Sequence, residues 1–266
     1  MAKSVLILGG GGREHALGYC FRNTGYSVSF APGNGGTRAI GENVPIKADN
    51  ILALAAFAER NCISLTVVGP EVPLAQGIVD VFRDRGLRIF GPSKDATQLE
   101  SSKVYAKEVM QQAGIRTANF RTFTNYESAR LRLVLQMSGP YVIKASGLAG
   151  GKGVYVCSSL DEAEVALSEL FIKKKHGDAG KEVIIEDFVR GTEISAQAVF
   201  GGWETVLLPP ARDYKRLGNY DKGPNTGGMG AIAPVSGFHE QDAQLVSNTI
   251  MAPLQKYLKS QRVEYT

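Results

Sequence analysis

The chain is poor in the residues that build metal centres and disulfide frameworks, with three cysteines and three histidines among 266 residues. Cys20, Cys62 and Cys157 are odd in number, widely spaced and set among apolar neighbours, which reads as reduced core thiols of a cytoplasmic protein. His15, His176 and His239 are equally scattered, so no group has the spacing of metal ligands. Long apolar runs are also missing. Nothing approaches the ~20 residues of a membrane span, and residues 5–8 give way to four glycines before a signal peptide's apolar region could form. The net charge of +4 and pI near 8.9 suit anionic small molecules and would equally suit a weak nucleic-acid affinity. The one basic run, Lys173-Lys-Lys-His176, closes a predicted helix over 161–172, where cations complement the helix dipole, so it reads as a solvated helix end and no nucleic-acid partner is expected.

What the chain does have is a regular alternation of short apolar strands and amphipathic helices over its first hundred residues. Strands are expected at 4–8, 27–30, 65–68 and 87–90, and helices at 13–23, 51–61 and 74–85. This order predicts a doubly wound parallel α/β domain with ligands at the carboxyl ends of the strands. The first such end, Gly9-Gly-Gly-Gly12, is followed by Glu14 where a dinucleotide fingerprint needs its third glycine, which disfavours NAD. Arg13 at the helix start suits a single phosphate, while a tight turn needing glycine only for its shape explains the same residues. His15 reads as a helix-surface or core histidine.

The densest signal lies further on. Residues 141–143 and 154–156 are β-branched or aromatic runs, and the connection between them holds Gly147, Gly150, Gly151 and Gly153 with Lys144 and Lys152 at its ends. Two strands joined by a glycine hairpin let backbone N–H groups approach an anion while the lysines supply charge. It differs from a Walker A loop, because a strand follows where that motif needs a helix and no Ser/Thr follows Lys152. Lys103 stands near the start of a helix ending at 112, where the dipole favours acids. A phosphate ligand and a solvated lysine both account for it. With a strand at 120–123, a helix at 126–137, the helix at 161–172 and a strand at 183–187, the hairpin completes an α+β unit that reads as a lid. Strands at 193–200 and 204–208 follow across a turn at Gly201-Gly202, then a long unperiodic loop through 212–230, a helix at 241–258 and a β-like run at 262–266.

Taken together, Gly10-Gly-Gly-Arg-Glu-His-Ala-Leu17, Ala31-Pro-Gly-Asn-Gly-Gly-Thr37, Val68-Gly-Pro-Glu71, Phe90-Gly-Pro92, Gln98-Leu-Glu100 with Ser102-Lys103, the glycine hairpin and Gly223-Pro-Asn-Thr-Gly-Gly-Met-Gly-Ala231 resemble the ATP-grasp ligases, and among them the phosphoribosylamine-glycine ligase family of purine biosynthesis. The resemblance runs the length of the chain. Residues 10–17 and 223–230 argue against the carboxylases that share the ATP site. It implies an N-terminal domain over 1–102 and an incomplete ATP-grasp domain over 103–266, with a lid at about 120–190 and the start of a core subdomain beyond it.

By that resemblance ATP is held by Lys103, Lys144, the hairpin residues Gly147, Gly150, Gly151, Lys152 and Gly153, the backbone from Glu186 to Val189, and Glu193 at the ribose. Lys144, Asp213 and Lys215 are the implied catalytic residues. Asp213, Lys215, Asn225, Thr226, Gly227 and Gly228 are implied to face glycine and 5-phosphoribosylamine, with Gly10, Gly11, Gly12 and Arg13 holding the sugar phosphate. The implied reaction activates glycine as glycyl phosphate and needs positioning and charge neutralisation rather than a nucleophilic side chain. Ser146, Gly150, Arg212 and Tyr214 depart from the family pattern, which has aspartate, alanine, glutamine and histidine there. The family's Mg²⁺ ligands belong to a segment past Thr266, so a truncated, cytoplasmic, monomeric chain with little activity of its own is expected. A non-catalytic nucleotide-binding or interaction protein derived from that family is the alternative.

Overall fold

The computed structural model describes residues 3–136, 139–201 and 204–265. It divides into two compact units, Met1–Gln98 with Val263–Thr266, and Leu99–Arg262.

The first unit runs β1 (Ser4–Gly9), α1 (Gly12–Asn23), β2 (Ser27–Pro32), β3 (Glu42–Asn43), α2 (Ile51–Arg60), β4 (Leu65–Val68), α3 (Glu71–Ala75), α4 (Ile78–Asp84) and β5 (Ile89–Phe90). Its parallel sheet has the order β3-β2-β1-β4-β5, the doubly wound arrangement expected. Alternation along β1 explains why both faces are covered. Leu6 and Leu8 pack with Leu54 and Ala58 of α2 and with Ile78 and Phe82 of α4, while Val5 and Ile7 pack with Phe30 and with Leu17 and Phe21 of α1. A fully buried Ile or Phe of this kind contributes about 1.5–3 kcal/mol.

The second unit opens with α5 (Gln98–Ser101), which bridges the division, and α6 (Lys103–Gln112), then β6 (Phe120–Phe123), α7 (Tyr126–Gln136), β7 (Tyr141–Ala145), β8 (Val154–Cys157), α8 (Leu160–Leu167) and β9 (Val183–Asp187). The strands form an antiparallel sheet of order β6-β9-β7-β8. Tyr141, Ile143 and Ala145 of β7 and Val183 and Ile185 of β9 point to one face, where Ala129 and Leu133 of α7 and Ala163 and Leu167 of α8 cover them. Lys144 and Glu186 therefore project from the opposite face. Beyond lie two ribbons, β10 (Ala198–Gly201) with β11 (Glu204–Leu207) and β12 (Arg212–Gly218) with β13 (Lys222–Ile232), and the helices α9 (Glu240–Val246) and α10 (Ala252–Ser260).

Several expectations need correction. The helix predicted over 74–85 is two helices, because Gly77 adopts φ +87° between them. The helix over 161–172 passes from α8 into a π-helical turn at Ser168–Ile172, and the helix over 241–258 is likewise divided by a π turn at Ser247–Met251. The supposed loop at 212–230 is largely the β12–β13 ribbon. Its residues are mostly exposed on both faces, so it carries no apolar alternation to read. The strand expected from Glu193 starts only at Ala198, with an isolated bridge between Ser195 and Ala211 before it. Residues 263–265 form no strand, since Arg262 turns the chain at φ +56° directly after α10. Cys157 is buried, but Cys20 and Cys62 are exposed and are not core thiols. Met137, Gly202 and Thr266, on which parts of the predicted elements fell, lie outside the described residues.

Candidate nucleotide-binding site

The start of α6 is fixed by two serines. Ser102, in extended conformation, accepts from the Tyr105 N–H at 3.2 Å, a helix N-cap. Ser146, at the end of β7, accepts from Lys103 N–H through its carbonyl at 2.9 Å and from Val104 N–H through Oγ at 3.3 Å. The serine that departs from the family pattern thus satisfies donors that a helix start leaves unpaired. With its backbone pinned, Lys103 reaches over to donate from Nζ to the Gly147 carbonyl at 3.1 Å. Burial lowers its pKa from the ordinary lysine value, and the charge of Lys144 lowers it further while Glu100 opposes.

The hairpin between β7 and β8 is anchored at its base and open at its tip. Gly147 N–H donates to Ala179 O at 3.0 Å, so close that a Cβ on Gly147 would lie 2.6 Å from the Ala179 Cα. Gly150 and Gly151 take φ +57° and +75° with open space around them, and Lys152 beside them is exposed. Backbone N–H groups in such a turn, with two ammonium groups nearby, suit a polyphosphate.

Beneath the hairpin Glu186 forms a three-membered charge cluster. Its side chain is 6% exposed, its Oε1 pairs with Lys144 Nζ, and its Oε2 lies 2.6 Å from Lys107 Nζ. Lys144 and Glu186 are diagonal neighbours on one sheet face, since Val142 is paired opposite Glu186. Lys107 also donates to Thr117 Oγ1 at 2.6 Å and stands 5.3 Å from the Phe120 ring centre. Sequence reasoning missed Lys107. Its spacing of four from Lys103, which places both on one face of α6, was the available signal.

The other nominated residues fall into two separate groups. Val189 and Glu193 follow β9 in an exposed stretch, and Lys215 Nζ approaches Glu193 Oε1 at 3.7 Å and Asp213 Oδ2 at 3.5 Å. Asn225 pairs opposite Arg216 across the ribbon, Thr226 Oγ1 donates to Lys215 O at 2.8 Å, and Gly228 N–H donates to Thr226 Oγ1 at 3.1 Å. Gly227 continues β13, so the ribbon gathers Asp213, Lys215, Asn225, Thr226, Gly227 and Gly228. Arg212 and Tyr214, two departures from the family pattern, stack with 5.2 Å between guanidinium carbon and ring centre.

Gly10, Gly11, Gly12 and Arg13 belong to the first unit. The Gly11 N–H there is not free, because the buried Glu14 carboxylate accepts it at 2.6 Å, and Arg13 Nε pairs with the same carboxylate at 3.0 Å. An anion at this turn would meet Arg13 and the N–H groups that Glu14 leaves. Among the described residues no three Asp, Glu, His or Cys side chains are grouped to hold a metal ion, and no helix is long and apolar enough to cross a membrane.

A glycine hairpin on an antiparallel sheet with a lysine from the flanking helix and another from the central strand is the arrangement of an ATP-grasp domain, the class that the family match gives residues 101–266. The chain belongs, more narrowly, to the phosphoribosylglycinamide synthetase family: residues 3–100 match its N domain and residues 101–266 its ATP-grasp (A) domain. It is similar to the phosphoribosylamine–glycine ligases of Rhodopirellula baltica, 42% identical over 97% of this chain and 61% of the relative, and of Chlorobaculum tepidum, 45% identical over 98% and 63%. The crystal structure of the Thermotoga maritima phosphoribosylamine–glycine ligase superposes with a TM-score of 0.82 at 37% identity, covering 98% of this chain and 63% of that one. A biotin carboxylase from Campylobacter jejuni shares the fold, with a TM-score of 0.72 at 18% identity over 96% of this chain and 59% of that one. The chain thus spans about three fifths of the length of the relatives it matches.

Proposed function

We propose that this chain is the nucleotide-gripping portion of an ATP-dependent ligase that joins glycine to 5-phosphoribosylamine, giving glycinamide ribonucleotide, ADP and phosphate. The observation that carries the proposal is the pair of lysines at the glycine hairpin, Lys103 on the Gly147 carbonyl and Lys144 close enough for its charge to act on Lys103. ATP fits this donor set: two cations, an open glycine tip and a buried acid that fixes one of the lysines. When bound it supplies the phosphoryl group that activates the carboxylate of glycine. Lys103 and Lys144 neutralise phosphate charge, Gly147, Gly150, Gly151, Lys152 and Gly153 cover it and exclude water, the backbone at Val189 borders the base, and Glu193 accepts from the ribose. Asp213 and Lys215 act on the glycine side and Asn225, Thr226, Gly227 and Gly228 orient the acceptor, while in the first unit Gly10, Gly11, Gly12 and Arg13 hold a sugar phosphate. Such chemistry rests on positioning and charge rather than on a covalent intermediate with the protein.

Mg²⁺ does not fit the described residues, which offer no acidic cluster. That observation favours a second reading, in which the chain by itself holds nucleotide without turning it over. On either reading we take residues 1–102 and 103–266 as the functional domains of a cytoplasmic monomer with neither nucleic-acid nor membrane partners. The test is calorimetric titration of the chain with ADP, together with an assay for ADP release when glycine, phosphoribosylamine and MgATP are supplied. Lys144→Met removes a charge-assisted contact worth about 1.5–3 kcal/mol, so it should weaken ADP binding by about 10- to 150-fold. Unaltered affinity in that variant, or no binding by the parent chain, refutes the proposal; ADP release separates the two readings.

A further inference from the structure

Glu186 is shared by two lysines of unequal freedom. Lys107 is 11% exposed at its side chain and held from three directions, by Glu186 Oε2, by Thr117 Oγ1 and by the Phe120 ring. Lys144 is 26% exposed and rises from the strand that leads into the glycine hairpin, with its ammonium on Glu186 Oε1. One lysine is anchored. The other has room to leave.

That difference answers a physical problem at the site. A lysine that grips a phosphate must release its carboxylate, and a carboxylate as buried as Glu186 is strongly destabilised once it has no compensating charge. With no other cation present, Glu186 would hold Lys144 back and oppose its transfer to a ligand. Lys107 removes this opposition. Its contact with Oε2 lacks the angle of a directed hydrogen bond and is mainly coulombic, which suffices for a counter-ion. A further Lys107 donor is taken by Thr117 and the side chain is largely buried, which keeps it away from the phosphate itself.

We infer that Lys107 is a positioning residue of the nucleotide site: the standing counter-ion of Glu186, which keeps that carboxylate compensated while Lys144 moves from Glu186 to a nucleotide phosphate. The inference rests on the reading of Lys144 as a phosphate ligand. Lys107 acts through Glu186 and touches no nucleotide. The same arrangement explains why two lysines converge on one buried acid where a single pair would balance the charge.

Thermal unfolding without ligand and calorimetric titration with ADP test it in six proteins: the parent chain, Lys144→Met, Lys107→Met, the two together, the two together with Glu186→Gln, and Lys107→Met with Glu186→Gln. Lys144→Met imitates the state in which Lys144 has left, and should keep the melting midpoint within about 3 °C of the parent because Lys107 still compensates Glu186, whereas removing both lysines strands the carboxylate and should lower the midpoint by about 6–15 °C. Adding Glu186→Gln to the variant without both lysines removes the uncompensated charge and should recover at least about half of that loss. If the variant without both lysines does not fold, recovery of a folded protein on adding Glu186→Gln carries the same result. In the titration Lys107→Met should bind ADP about tenfold more weakly, and Lys107→Met with Glu186→Gln should return to within about threefold of the parent because nothing then retains Lys144. A residue that only fills space would not show that rescue of affinity. A midpoint loss in Lys144→Met as large as that of the variant without both lysines, or failure of Glu186→Gln to rescue, overturns the inference. If the parent chain binds no ADP, the phosphate reading of Lys144 fails and the nucleotide role of Lys107 with it, while the thermal series still decides whether Lys107 is the counter-ion.

Discussion

Replacing Gly147 with alanine should disturb both the fold and the ligand site of the second unit, by a mechanism specific to that position. The new Cβ would sit 2.6 Å from the Ala179 Cα and 2.8 Å from its Cβ, and the first of these neighbours is backbone. The loop must therefore move, stretching the 3.0 Å bond from Gly147 N–H to Ala179 O and displacing the carbonyl that holds Lys103 at 3.1 Å. Overpacking costs about 1–3 kcal/mol, and a weakened hydrogen bond adds about 0.5–1.5 kcal/mol. A destabilisation of about 2–4 kcal/mol corresponds to a fall in melting midpoint of about 4–16 °C for a unit of this size. Gly150→Ala is the control. Its Cβ meets nothing within 4 Å, and its cost of about 1 kcal/mol comes only from φ +57°. Thermal unfolding followed by circular dichroism, with an ADP titration beside it, should rank Gly147→Ala as the more damaging in both. A Gly147→Ala protein that melts within about 2 °C of the parent, or more stably than Gly150→Ala, would refute the reasoning.

Two further outcomes follow from the shifted groups. Burial, with the charge of Glu162 adding to it, raises the Cys157 thiol to about 11, whereas Cys20 and Cys62 are exposed; a thiol reagent at pH 8 should therefore titrate Cys20 and Cys62 in the native chain and Cys157 only after unfolding, and equal rates for all three would contradict the burial. The pKa of Lys103 is lowered in the folded chain, so between that value and the ordinary 10.5 the unfolded chain holds a proton that the folded chain does not, and the group's contribution to stability rises with pH across that window. Anion binding has the opposite sign: ADP affinity should decline as pH rises through the lowered value, and Lys103→Met should flatten that part of the profile.

Much of the architecture is legible along the chain because it is made by neighbours. Apolar runs such as 5–8, covered on both faces, announce a parallel sheet, and the glycines from 147 to 153 between two β-branched runs announce a hairpin that can approach an anion. The ribbon formed by β12 and β13 escaped that reading because exposed residues on both of its faces leave no period of two. The exposure of Cys20 and Cys62 escaped it too, since apolar neighbours in sequence do not settle which way a thiol points.

The sequence by itself determined the strand–helix alternation of the first unit, the glycine hairpin and the family, for these depend on local propensity and spacing. Only the tertiary structure decided which partners each charged residue meets. Lys103, Lys107 and Lys144 are alike in composition, yet the first is turned onto Gly147, the second is anchored beneath Glu186 and the third is left with room to move. Those roles follow from burial and from a carboxylate on a strand distant in sequence. Charge compensation in a low-dielectric interior is a property of three-dimensional neighbours, and no local pattern encodes it.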